Sequence, residues 1–337
     1  MPGAPRTAFA AALFVAGLVA GCGTVGGSQA PSPLLLPAAP AAAPRGGLAP
    51  AGIVRALDAP ATAVVVDPRT ATVAAALSDP PRVLLSSLDS AESPYQVPLP
   101  GPAAALVLAA EGGPLLVSVS APGSLVQVPL DGGAPRTTDL GGAPRDAVMM
   151  GDRTVVALGD RLVVLERGGP QRTVTGFADA ARLTPVGTKV GVLDRARTAV
   201  SLVDPVSGEA GPALRAGNGA VSAVTDRFGR MLVTDVRDGE LLAFGGVPLL
   251  LRQRFPLPGA PYGLAYDGQR DLAWVTLTAR NEVVGLDVAG GEPVVAHRFP
   301  TVHQPDAVAV DPVSGRVVVV SASGAGLQVI DPGRVVH

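Results

Sequence analysis

The chain has 337 residues and a formal net charge of −2, with acids and bases interspersed, which argues against a nucleic-acid-binding surface. Aromatic residues make up only 3%, too few to wall a quinone-cofactor site, and a lone cysteine excludes a disulfide framework. After the first twenty residues, no apolar run approaches the ~20 residues that a membrane-spanning helix needs.

The chain begins with Arg6 and a nearly wholly apolar run over residues 7–20, the order of a cleaved export signal. Val19-Ala20-Gly21-Cys22 reads as a bacterial lipobox. Residues 1–21 are therefore expected to be a lipoprotein signal peptide. The Cys22 thiol is expected to be acylated, with palmitate-type chains, and to become the mature N-terminus. Two or more acyl chains supply the apolar anchoring that stable membrane attachment requires. The expected address is the extracytoplasmic face of a cell membrane.

Residues 22–50, from Cys22 on, are mostly Gly, Ser, Pro and Ala, with Leu34, Leu35 and Leu36 among them. This composition predicts a Pro-stiffened, nearly uncharged tether that holds a folded body off the membrane.

Residues 51–337 repeat at a period of about 42 residues, the spacing of a four-stranded propeller blade. Seven copies follow in order. The first takes residues 61–67 and 73–77. The second takes 103–109, 115–119 and 125–130, and the third 146–150, 155–158 and 162–165. The fourth takes 180–183, 190–193 and 200–203. The last three are clearer: Val221-Ser222-Ala223-Val224-Thr225-Asp226, Pro261-Tyr262-Gly263-Leu264-Ala265-Tyr266-Asp267 and Pro305-Asp306-Ala307-Val308-Ala309-Val310-Asp311 each open one. The segments are Val-rich and bounded by Gly, Pro, Asp and Ser, which is strand and turn chemistry.

The expected fold is all-β, a seven-bladed β-propeller of four-stranded antiparallel blades. The last copy ends soon after its third strand, whereas residues 53–57 form a spare strand ahead of the first. Residues 53–57 are thus expected to supply the outer strand of the last blade, closing the ring and hiding its edges.

Trp274-Val275-Thr276-Leu277, Leu232-Val233-Thr234-Asp235 and Asn281-Glu282-Val283-Val284-Gly285-Leu286-Asp287 carry a resemblance to the YVTN-type (lactonase-like, NHL-related) propeller family. The resemblance covers residues 51–337, most clearly after Ala220. It implies a seven-bladed ring. For function it implies either an envelope binding protein or a lactone hydrolase using a channel-bound divalent ion.

Loops leading into innermost strands, and loops joining second to third strands, should open on one face of such a ring. There they offer Arg145, Asp146, Asp179, Arg195, Asn218, Arg237, Tyr262, Arg280, Asn281, His303 and Asp306 as a ligand-binding mouth. This mixture suits a small polar ligand or a peptide. His303 is the candidate general base, with Asp306 as a group that could orient its ring. Asn218 and Asn281, with Asp146 or Asp179, are the oxygen donors that a Ca²⁺ ion would use. No His/Cys set suits zinc or copper. There is no Gly-x-Ser-x-Gly elbow in the body. The favoured expectation is a membrane-anchored binding scaffold whose partner is an envelope protein or a small polar ligand. The alternative is a metal-assisted lactonase-like hydrolase.

Overall fold

A computed structural model describes residues 1, 3, 34–90, 93–166 and 172–334. Cys22, and all of residues 1–21 except Met1 and Gly3, lie outside the described residues, as do residues 22–33 of the expected tether. The chain divides between Met1–Ser32 and Pro33–His337, and the second unit is described below. Among the described residues no helix is long and apolar enough to cross a membrane.

A short strand, β1 (Ile53–Arg55), comes first. The next sheet is β2 (Ala61–Asp67), β3 (Thr72–Ser78), β4 (Pro81–Ser87) and β5 (Tyr95–Pro98), antiparallel throughout. It is followed by β6 (Ala103–Leu108), β7 (Leu115–Val119), β8 (Ser124–Val128) and β9 (Arg136–Asp139). A larger sheet contains β10 (Asp146–Met150), β11 (Arg153–Ala157), β12 (Gly159–Glu166), β13 (Arg172–Val186), β14 (Lys189–Asp194), β15 (Ala199–Val203) and β16 (Leu214–Arg215). Two more four-stranded sheets come next. One is β17 (Ala220–Thr225), β18 (Met231–Asp235), β19 (Glu240–Gly245) and β20 (Leu250–Pro256). The other is β21 (Pro261–Asp267), β22 (Leu272–Leu277), β23 (Glu282–Asp287) and β24 (Val294–Pro300). The last strands are β25 (Pro305–Val310), β26 (Val317–Ser321) and β27 (Leu327–Ile330).

The ring closes as the sequence predicts. β1 pairs antiparallel with β27, Ile53 opposite Val329 and Arg55 opposite Leu327, so the N-terminal strand becomes the outer strand of the last sheet. The paired segment is residues 53–55, shorter than the expected 53–57. Gln328, fully buried, ties the seam. Its Nε2 donates to the carbonyls of Ala51 (2.7 Å) and Pro300 (3.0 Å), and its Oε1 accepts from the Val302 amide at 2.9 Å.

The expectation of seven separate four-stranded sheets needs a correction. Five sheets are four-stranded, and the sixth has seven strands, because β13 is continuous over 15 residues. Its first part pairs with β12 (Val164 opposite Arg172) and its second with β14 (Val186 opposite Lys189). Elsewhere a loop of four or more residues separates an outer strand from the next inner one. Here the backbone stays extended from Phe177 to Ala181. The two halves of this sheet still pack face to face, through Val148, Val155, Leu162, Val164, Leu183, Val190 and Val192.

The inner strands touch in the order β2, β6, β10, β13, β17, β21, β25 and back to β2. Between successive faces lie Val/Leu/Ala cores, for example Leu115, Val117 and Val126 against Ala74, Ala76 and Val83. Both faces of each middle strand are buried, which is why those strands are unbroken apolar runs. Strand-ending aspartates cap the turns by accepting backbone amides: Asp267 Oδ1 from Gln269 (2.9 Å), Asp311 Oδ2 from Ser314 (3.1 Å). Trp274 is fully buried and stacks on His297 at 5.6 Å, so it packs a blade, and His297 sits in β24 as the sequence implies.

Candidate functional site at the channel mouth

The inner strands surround a central channel of about 690 Å³. Its walls are small and apolar, such as Ala105, Leu106, Ala223, Val224 and Val308. Its charged groups and one tyrosine come from strand ends and adjoining loops (Arg145, Asp146, Arg195, Tyr262 and Asp306) and from within β13 (Asp179 and Arg182). The ring thus brings acids and guanidinium groups together in one concave mouth.

The loops are held by the strands beside them. In several blades a polar side chain near the end of the second strand fixes the loop that feeds the first. Asp194, at the end of β14, accepts the amides of Ala178 (2.7 Å) and Asp179 (3.1 Å). Asp235, at the end of β18, accepts the Asn218 amide at 2.7 Å. Thr276 Oγ1 accepts the Gly263 amide at 2.8 Å, and Ser321 Oγ donates to the His303 carbonyl at 2.6 Å. Gly217 suits this tight approach. It has φ of 72°, and a Cβ there would lie 1.6 Å from Asp235 Oδ2.

The charged groups differ in burial. Asp146 is buried, and its carboxylate accepts the amides of Ala147 (2.9 Å) and Leu183 (2.9 Å). Burial pushes its pKa up against the opposing pull of Arg182 and of those two hydrogen bonds. Asp306 is likewise raised by burial, with the Gln304 side chain donating to it at 2.7 Å in partial compensation. Burial lowers the Arg195 guanidinium, and the nearby Arg182 charge adds to that, while Tyr262 and Asp179 oppose it. Arg145 Nε lies 3.7 Å from Asp179.

Of the expected mouth residues, Arg145, Asp146, Asp179, Arg195, Tyr262 and Asp306 line the channel. The others do not. Asn218 is held outside it, donating to Asp238 (2.9 Å) and accepting from Arg215 (2.6 Å). Arg237 donates to the carbonyls of Asn218 (2.8 Å) and Leu36 (2.7 Å). Arg280 is exposed and lies over Gly259. Asn281 is buried, donating to the Pro44 carbonyl at 3.0 Å. His303 Nδ1 pairs with Ser323 Oγ at 2.8 Å, whereas Asp306 pairs with Gln304, so Asp306 does not orient the imidazole.

The oxygen donors expected for Ca²⁺ do not converge. Asn218 and Asn281 are bound to different partners, and Asp146 spends its carboxylate on two backbone amides. Among the described residues no group of three or more His, Cys, Asp or Glu could hold a metal ion. The residues present do not fit the ion.

Two contributors escaped the sequence reading. Arg182 lies inside β13, where it reads as an ordinary strand position. Gln304 follows His303 in the loop and carries no signature of its own.

A ring of four-stranded antiparallel sheets around a polar-mouthed channel defines a β-propeller. No protein-family model matches the chain, and no curated protein matches it in sequence. By structure it is similar to hydrazine synthase of Kuenenia stuttgartiensis (TM-score 0.69, 14% identity, covering 82% of this chain and 97% of that one). It is also similar to virginiamycin B lyase of Staphylococcus aureus (0.67, 13%, 81% and 96%). The β-propeller domain of Cps50 (Swd1) from Myceliophteria thermophila is a third (0.70, 11%, 82% and 98%). At these identities the likeness shows the fold.

Proposed function

We propose that this chain is a lipid-anchored envelope protein whose seven-bladed propeller binds a small ligand carrying both charges. The blade count treats the seven-stranded sheet as two blades joined along β13. Its face-to-face halves and the circular order of the inner strands support that. The anchor is Cys22, supported by the lipobox order of residues 19–22.

The observation that carries the binding reading is the pairing of opposite charges at one channel mouth: Arg145, Arg182 and Arg195 facing Asp146, Asp179 and Asp306. A zwitterion can satisfy both signs there at once, in a partly desolvated setting that strengthens each contact. The hydrolase alternative draws less support. The S. aureus lyase neighbour has a catalytically inactive His-to-Ala form crystallised with quinupristin. In this chain His303 pairs with Ser323, apart from the channel acids.

The binding reading is tested by purifying the chain from envelope extract and identifying co-purifying small molecules by mass spectrometry. A charged ligand retained by the wild type and lost from Arg182→Ala, with melting unchanged, is the expected result. Identical retention by both proteins, or none by either, overturns it. For the anchor, labelled palmitate should enter the wild type but not Cys22→Ser. Equal labelling of both would end that part of the reading.

A further inference from the structure

Residues 34–44 lie along the face that carries the channel mouth, where a free tether is expected from composition. Pro37, Pro40 and Pro44 fix φ and favour a polyproline-type chain, which makes no hydrogen bonds within itself. Its carbonyls and amides therefore need partners wherever it lies against protein. The rim supplies them. The Leu35 amide donates to the Ala196 carbonyl at 2.7 Å. Arg237 donates to the Leu36 carbonyl and Arg195 to the Ala38 carbonyl. The Ala41 amide donates to Thr278 Oγ1 at 3.2 Å, and Asn281 donates to the Pro44 carbonyl at 3.0 Å.

Gln304 does the most. Its Oε1 accepts the Ala43 amide at 2.9 Å and its Nε2 donates to the Ala41 carbonyl at 3.0 Å, so one side chain reads two alternate residues as a neighbouring strand would. Gln304 and Asn281 both sit in the left-handed region, φ 54° and 50°, which is costly for side-chain-bearing residues and needs support from the surroundings. Asn281 Oδ1 helps by accepting the Gln304 amide at 3.0 Å. Leu34 and Leu36 remain 64% and 84% exposed and Leu35 is only partly buried, so leucine burial is not the main hold on the segment. Its main chain is.

We infer that Arg195, Arg237, Thr278, Asn281 and Gln304 form a binding site for an extended, uncharged, alanine- and proline-rich polypeptide. In this protein its own residues 35–44 fill that site. A second chain of the same chemistry enters when they leave. Ala38 is buried, which calls for a small side chain at that position, while the remaining contacts go to main-chain groups. Pro40 reaches the channel wall, so the occupant also overhangs the channel. The rim site shares Arg195 with the channel mouth, but its contacts through Arg237, Thr278, Asn281 and Gln304 do not depend on the Cys22 lipid or on a channel ligand.

Hydrogen exchange on the full chain tests the occupancy. The Ala41 and Ala43 amides should exchange at least about tenfold more slowly than in a free peptide, and Asn281→Leu/Gln304→Leu should abolish that protection. Free-peptide rates in the wild type would overturn the inference. The second test uses a synthetic peptide of residues 33–44 with blocked ends, which carries no charge. It should bind a full chain carrying Ala41→Pro/Ala43→Pro, which removes two amide donors from the internal segment and leaves the rim intact. It should bind the wild type at least tenfold more weakly. Adding Asn281→Leu/Gln304→Leu should abolish binding. Release of the strap in the proline variant is read at the Leu35 amide, which donates to Ala196 in the wild type and should exchange at the free-peptide rate; a peptide that fails to bind that variant, or a Leu35 amide that stays protected, overturns the claim that a second chain can enter.

Discussion

Gln328 donates to the carbonyl of Ala51 across 277 residues of sequence, at 2.7 Å, from a fully buried position. One amide thereby joins the segment before β1 to the strand that β1 completes. The same side chain reaches Pro300 and Val302 at the end of the preceding blade. The seam of the ring is a polar clamp inside an apolar stack.

Gln328→Leu keeps the volume but leaves the Ala51 carbonyl and the Val302 amide without that partner, while the Pro300 carbonyl still accepts the Ala51 amide at 3.0 Å. Each buried unpaired group costs about 1–3 kcal/mol. The variant is expected to melt roughly 5–10 °C below the wild type in calorimetry. An unchanged melting temperature would mean that the clamp contributes nothing.

Removing residues 53–57 deletes β1 and uncovers the edge of β27. It also removes Arg55, which donates to the carbonyls of Ser87 (2.6 Å) and Leu88 (3.1 Å) on the first blade. Strong destabilisation is expected, together with concentration-dependent association through the bared edge, visible in light scattering.

Asp306 should make stability fall as pH rises. Its folded-state pKa is raised by burial, so between the unfolded value of 3.8 and the folded value the native state binds more protons. The penalty is fully present above the folded pKa and absent below 3.8. Asp306→Asn keeps the oxygen that accepts from Gln304. It should be more stable than the wild type at pH 7, and the gap should close as pH approaches 3.8. Paired melts across pH decide this, and a gap constant with pH would refute it.

Gly285 faces Trp274, the only tryptophan, and a Cβ there would lie 2.9 Å from the indole ring. Trp274 also stacks on His297 and Phe299, so it has little freedom to retreat. Gly285→Val should cost about 1–3 kcal/mol by overpacking. Intrinsic fluorescence reports the displacement directly, since no second tryptophan contributes.

The strands, their order and the closure by an N-terminal strand were legible because each rests on local pattern. Unbroken Val/Leu runs such as residues 115–119 mark sheets buried on both faces, and Asp-containing turns mark their ends. An outer strand spare at one terminus and missing at the other is simple bookkeeping along the chain. Asp146, Asp179, Tyr262 and Asp306 could be placed at the mouth because they immediately precede or open inner strands.

Only the tertiary structure decided the rest. β13 runs through two repeats with the backbone extended from Phe177 to Ala181, and continuity leaves no mark in composition: Thr301 to Gln304, equally free of Pro and Gly, form a loop. Arg182 joins the channel from within a strand, where alternation alone cannot say which charged residue meets others across the axis. The Pro- and Ala-rich stretch reads as a tether because its side chains offer nothing to bind. What fixes it is the backbone, which every residue carries alike, and the complementary groups lie some 150 to 260 residues away.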